Sequence, residues 1–130
     1  MNVPKWITPL FYLAALYDGV LGLLFLFAPG APFAWFEVVP PNHPGYVQFP
    51  AALLLIFALI FLRIARDPIA NRDLILYGIL LKLAYSGLAF WHWALSDIPG
   101  MYKPFAVIDV VMGVLFVAAM MAIPAQQEGE

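Results

Sequence analysis

The sequence predicts an all-α fold: one domain over residues 1–130, built as an integral membrane bundle of four transmembrane helices. Three observations carry this. Hydrophobic residues make up 65% of the chain and charged residues only 11%, whereas a soluble domain carries about 25% charged residues. With so little charge the chain cannot keep a water-facing surface, so the bilayer is its main solvent. Four apolar segments, at roughly residues 6–28, 46–62, 74–95 and 104–123, each approach the ~20 residues that cross a bilayer as a helix.

The first segment follows Lys5, and Ala31-Pro-Phe-Ala34 loosely resembles a signal-peptide cleavage site. Its apolar run is too long for a signal peptide and is broken by Asp18, so it reads as a retained helix. The link after it, residues 28–45, holds five prolines, two glycines and three aromatics. A flexible tether would be polar; this segment is apolar and stiff. Pro32 suits the first position of a short helical turn, and Trp35 and Phe36 belong at headgroup level. The link is expected to fold back over the outer mouth of the bundle, with Trp35, Glu37, Asn42 and His43 as its cap. A plain interfacial loop is the alternative.

The second segment carries no charge and is expected to pack on lipid and its neighbours. Arg63, Arg66 and Arg72 then crowd the link to the third segment. The positive-inside rule places that link in the cytoplasm, giving an N-in/C-in topology. Lys5 agrees, Lys103 dissents, and the acidic end Gln126-Gln-Glu-Gly-Glu130 is neutral on the point. The third segment begins at Asn71-Arg-Asp73, where Asn71 or Asp73 suits an N-cap, and ends at Trp91-His-Trp93. Pro99, Gly100 and Pro104 introduce the fourth segment, and Pro124 closes it.

Lys82 is the only charged residue between Asp73 and Asp97. A lysine at that depth in hydrocarbon is costly and must be compensated. Gly78, Lys82, Tyr85, Ala89 and His92 recur at helical spacing on one face. On the first segment Tyr12, Ala15, Asp18, Gly19 and Gly22 share a face, whose small residues invite a close helix neighbour or a homodimer partner. Asp109, Gly113 and Phe116 share a face of the fourth. Counting 1.5 Å per residue puts Asp18 roughly 17 Å, Lys82 roughly 13 Å and Asp109 roughly 20 Å from the inner boundary. An Asp18–Lys82 ion pair is therefore expected, with Asp109 above it, nearer Tyr85 and His92.

Such a pair can fasten helices together, yet ionisable groups in a membrane mark functional sites by default. The second carboxylate, Asp109, exceeds what a neutral pair requires. The candidate site is thus Asp18, Lys82, Tyr85, His92 and Asp109, in an outward-facing pocket with Tyr12, Tyr17, Trp35, Trp91 and Trp93 as aromatic walls. It would take a small, lipid-like or quinone-like molecule with a polar head, for binding, transport or proton-coupled redox. The alternative is a non-catalytic accessory subunit of a larger membrane complex whose buried charges only fix helix packing. Catalysis, with Lys82 or His92 as base, ranks third.

Other chemistries lack their residues. The chain has no cysteine, hence no disulfide or thiolate site. His43 and His92 are unpaired in motif and no metal site is expected; His43 is expected to cap a turn or to reach down to Asp109. No cofactor is named by any motif, and no phosphate loop or hydrolase signature is present. Six Lys and Arg make no basic surface for nucleic acid.

Two further patterns are legible. Leu16-Tyr17-Asp18-Gly19-Val20 is echoed by Ala84-Tyr85-Ser86-Gly87-Leu88, as two hairpins inserted in the same sense would show. In length, four-span layout and the Asp-Gly of the first segment, the chain resembles the small bacterial inner-membrane proteins grouped as DoxX-like. Pro40-Pro-Asn-His-Pro-Gly-Tyr-Val-Gln-Phe-Pro-Ala51 resembles a segment of bacterial four-span proteins. The resemblance implies a four-helix bundle in the bacterial cytoplasmic membrane and carries no catalytic residues.

Overall fold

The computed structural model describes residues 3–125; the acidic end, residues 126–130, lies outside them. Among the described residues the chain is wholly helical: α1 (Ile7–Phe27), a short α2 (Ala31–Trp35), α3 (Gly45–Arg66), α4 (Leu74–Leu95) and α5 (Tyr102–Ala122). The four long helices have the length and apolar composition of the spans of a multi-pass membrane protein. At 21 or 22 residues each extends roughly 32 Å, matching the ~30 Å hydrocarbon layer.

Helix bounds differ from expectation mainly in α3. It continues to Arg66, a full turn past the expected end at residue 62. Arg63 and Arg66 occupy its last turn, where cations complement the negative end of the helix dipole. Pro50 sits inside α3, where its missing N–H leaves the Tyr46 carbonyl without its helical partner. Pro104, by contrast, falls in the first turn of α5, where no intrahelical donor is needed.

The helices form two antiparallel hairpins, α1 with α3 and α4 with α5. Thr8 Oγ1 donates to the Ala65 carbonyl at one end of the first hairpin, and Gln48 Nε2 donates to the Leu26 carbonyl at the other. The small residues of α1 make the close approach possible. A Cβ on Gly22 would stand 2.9 Å from the Ala51 carbonyl oxygen, and one on Gly19 would stand 3.7 Å from Ala58 Cβ. The Ala15/Gly19/Gly22 face is therefore covered by α3 within the chain, and is not the free dimer face expected from sequence. By the same contact α3 is an integral wall of the bundle.

The link between the hairpins is built differently from expectation. Asp73 occupies the N-cap position of α4 but makes no side-chain cap hydrogen bond. Asn71 instead turns back, its Nδ2 donating to the carbonyls of Arg63 (2.9 Å) and Asp67 (3.0 Å) at the end of α3. Arg72 Nε donates to the Met120 and Ile123 carbonyls at the end of α5. Arg72 thus satisfies carbonyls that the end of α5 leaves without partners, while Asn71 adds a second donor to carbonyls that already accept the Asp67 and Asn71 N–H groups.

The hairpins meet through an aromatic core toward this arginine end. Phe11 of α1 stacks on Phe116 of α5 with centroids 4.8 Å apart, and Phe61 of α3 lies 5.2 Å from Phe116. Gly78 of α4 makes room for them, since a Cβ there would fall 2.7 Å from the Phe61 ring. Ile7, Ile64, Ile75 and Ile123 close the core beneath. Lipid is as apolar as these side chains, so close packing rather than water exclusion is what holds them.

Candidate ligand site

One helical turn beyond the phenylalanine core, toward the proline-rich end, α4 contributes Lys82. Its inward stripe is Ile75, Gly78, Lys82 and Ser86, spaced by three or four residues as a buried helix face requires. Gly113 of α5 lies against the lysine stem. The ammonium Nζ stands 3.0 Å from Asp18 Oδ1 and 3.4 Å from Asp18 Oδ2 on α1, and 3.1 Å from Asp109 Oδ1 on α5. It also lies 5.2 Å from the Tyr17 ring centroid and 5.8 Å from that of Phe61, distances at which a ring face attracts a cation. Lys82 and Asp18 are each 1% exposed and Asp109 7%.

The expected Asp18–Lys82 ion pair is present, but Asp109 does not stand above it. It shares the same ammonium. The reason lies in two offsets: α5 begins at Tyr102 rather than 104, lowering Asp109 to roughly 10 Å below the helix start, and the lysine side chain extends toward it. One ammonium thus joins three helices from both hairpins. The Lys82 carbonyl accepts a hydrogen bond from Ser86 Oγ, which satisfies that buried hydroxyl.

Above the carboxylates a cavity of about 350 Å³ opens between the hairpins in the proline-rich half. Among the described residues, Asp18 and Asp109 are the only charged ones lining it. Its walls follow helical spacing: Leu21 and Phe25 of α1, Pro50 and Leu54 of α3, Tyr85 of α4, Phe105 of α5. Phe33 of α2 and Pro41 contribute from the link, so the apolar link does cover part of the mouth. The expected cap residues Trp35, Glu37, Asn42 and His43 face outward instead. His43 Nδ1 accepts the Gly45 N–H at 2.9 Å, closing the turn before α3 rather than reaching Asp109. Glu37 ends the short helix with φ of 56°, a left-handed conformation a side chain adopts at some cost.

Other expected residues fall elsewhere. Tyr85 lines the cavity together with Asp109, and its hydroxyl donates to the Tyr102 carbonyl at 3.1 Å. His92 is exposed and lines nothing. The stripe that buries Gly78 and Lys82 loses its neighbours along α4, and no residue from Gly87 to Leu95 is buried. Tyr12, Trp35, Trp91 and Trp93 lie on the outside for the same geometric reason, each on a face or segment turned away from the hairpin interface. Trp93 stacks on Phe90 and lies 5.0 Å from Lys103 Nζ.

Two features were not foreseen. Tyr17 holds a buried hydroxyl with no hydrogen-bond partner at the cavity wall. Asp109 engages Lys82 through Oδ1 alone and is itself a lining residue of the cavity. The echo of Leu16–Val20 in Ala84–Leu88 held a signal for the first: Tyr17 and Tyr85 are its matched tyrosines, and both line the cavity from opposite hairpins. Among the described residues no group of three or more His, Asp or Glu is placed to hold a metal ion.

Chemically, the constellation is two carboxylates on one ammonium at the floor of an apolar cleft. A single carboxylate would complete a neutral pair; the second leaves acceptor capacity facing the cavity. Comparison with known protein families, with curated proteins and with solved structures finds no match to this chain.

Proposed function

We propose that this protein binds a small, lipid-like or quinone-like molecule with a polar head in the cleft between its two hairpins. One observation carries the reading: a cavity of about 350 Å³ whose walls are apolar and aromatic, and whose floor is two carboxylates beside an unpartnered tyrosine hydroxyl. Ligand sites in proteins combine an apolar lining with a few convergent polar groups in this way, at volumes of about 300–1,000 Å³. Structural fastening alone needs neither the second carboxylate nor the space above it. Arg63, Arg66 and Arg72 support a cytoplasmic arginine end with both termini inside, so the cleft opens outward. The layout is in keeping with a DoxX-like protein of the bacterial cytoplasmic membrane.

The test is to purify the full chain in native-lipid nanodiscs and identify bound molecules by mass spectrometry and absorbance. Leu54→Trp, which fills the cleft, should abolish a bound species that the wild type retains, with the thermal midpoint little changed. A second reading, an accessory subunit of a larger complex, is favoured by the outer stretch of α4, where Ala89 is half-buried and every other residue from Gly87 to Leu95 is exposed. It takes precedence if wild type and Leu54→Trp carry the same molecules and an added partner stabilises both.

A further inference from the structure

We infer that the cleft selects molecules whose polar head is a protonated amine. The inference deepens the reading above and rests on the cleft being a ligand site.

The charge count comes first. Counted as formal charges, two carboxylates and one ammonium leave one negative charge in excess at the cavity floor. Lys82 is the only buried cation among the described residues. Arg72 is committed to the carbonyls ending α5, and Lys103 pairs with Asp97 at 2.8 Å. An uncompensated charge away from water is costly, and a cationic head entering the cleft removes the imbalance.

Geometry agrees with the count. The ammonium of Lys82 lies behind the carboxylates and does not line the cavity, so it offers nothing to an anionic or carbonyl head. What lines the cavity is acceptor capacity: the carboxylates of Asp18 and Asp109, of which Asp109 bonds the lysine through one oxygen only. An R–NH₃⁺ head carries three donors and no acceptor, the complement of this surface. Around that position stand the rings of Tyr17, Tyr85 and Phe105, and aromatic faces add to the attraction for a cation in a desolvated site. The cavity holds about a dozen atoms of water size, enough for an amine on an apolar body of eight carbons.

The decisive experiment uses the full chain in phosphatidylcholine nanodiscs and titrates octylamine, octanol and octanoate by calorimetry, with protein-free discs subtracted. Octylamine should bind about tenfold or more tighter than octanol, since charge-assisted hydrogen bonds are roughly twice as strong as neutral ones, and octanoate should not bind. Asp109→Asn should bring amine and alcohol to similar affinity, while Leu54→Trp removes both. The ranking is read on the wild type, so it holds whether or not Asp109→Asn folds. Octanol matching octylamine, or octanoate binding best, overturns the amine selectivity and leaves the cleft as a ligand site. Binding that Leu54→Trp does not alter removes the site itself, and the selectivity with it. Discs containing phosphatidylethanolamine identify the source: competition with octylamine makes the ligand an aminolipid headgroup, and its absence makes it a free amine.

Discussion

Lys82 of α4 and Asp18 of α1 meet at 3.0 Å across 64 positions of sequence, and the same ammonium holds Asp109 of α5 at 3.1 Å. The lysine therefore has two partners where each carboxylate has one. That asymmetry sets how the three positions respond to substitution.

Lys82→Met leaves two carboxylates together with no cation and should destabilise the bundle by about 3–5 kcal/mol, the cost of breaking a buried pair by removing one partner. Asp18→Asn leaves Lys82 on Asp109 and should be clearly milder. Unfolding by denaturing detergent, followed by circular dichroism, gives both values. Equal losses in the two variants would mean that Asp109 does not support the ammonium.

Gly22 and Gly19 lie one turn apart on α1 yet should respond in opposite ways. Gly22→Ala drives a methyl into the Ala51 carbonyl and the Leu55 side chain, each 2.9 Å away, and should cost about 1–3 kcal/mol by overpacking. At Gly19 the nearest atom is 3.7 Å away, so Gly19→Ala should be neutral or gain up to about 1 kcal/mol from helix propensity. Thermal midpoints of the two variants in one detergent make the comparison.

Asn71 acts as the lock on the end of α3. Asn71→Ala removes both hydrogen bonds to the Arg63 and Asp67 carbonyls and should cost about 1 kcal/mol, the ordinary net value of such bonds at a half-exposed site. Amide exchange at the end of α3 and in the 67–73 link should rise, while exchange around Phe11 stays unchanged.

At the opposite end Asp97 and Lys103 tie α4 to α5. The hydrogen bond from Lys103, helped by the backbone N–H of Ile98, holds the Asp97 carboxyl below its ordinary 3.8. For a carboxyl lowered in the folded state, the tether is fully formed above the ordinary value and is lost as pH falls through the lower folded one. Carbon NMR of Asp97 should show a midpoint below 3.8 that Lys103→Met moves back toward it. A wild-type midpoint at the ordinary value would show that the tether does not persist.

Much of the fold was readable along the chain because its solvent is uniform. In hydrocarbon every backbone group must be satisfied within its own helix, so apolar length alone located α1, α4 and α5 to within two residues. The end of α3 escaped because Arg63 and Arg66 look like a boundary in a hydropathy reading while they continue the helix. Asp18 and Lys82 were found by adding up rise per residue, a local quantity that survives assembly.

Composition and helical periodicity by themselves determined four apolar helices, a buried lysine and the aspartate at its level. Only the tertiary structure decided that Asp109 joins the same ammonium, that the glycine face of α1 is spent on α3, and that His92 stands outside the cleft. These depend on how far each helix is shifted and turned against its neighbours. Side-chain packing sets those shifts: the rings of Phe11, Phe61 and Phe116 around Gly78 bring the hairpins together at one end, and α4 beyond Ser86 has no buried residue at the other. Periodicity along one helix carries no record of that relation.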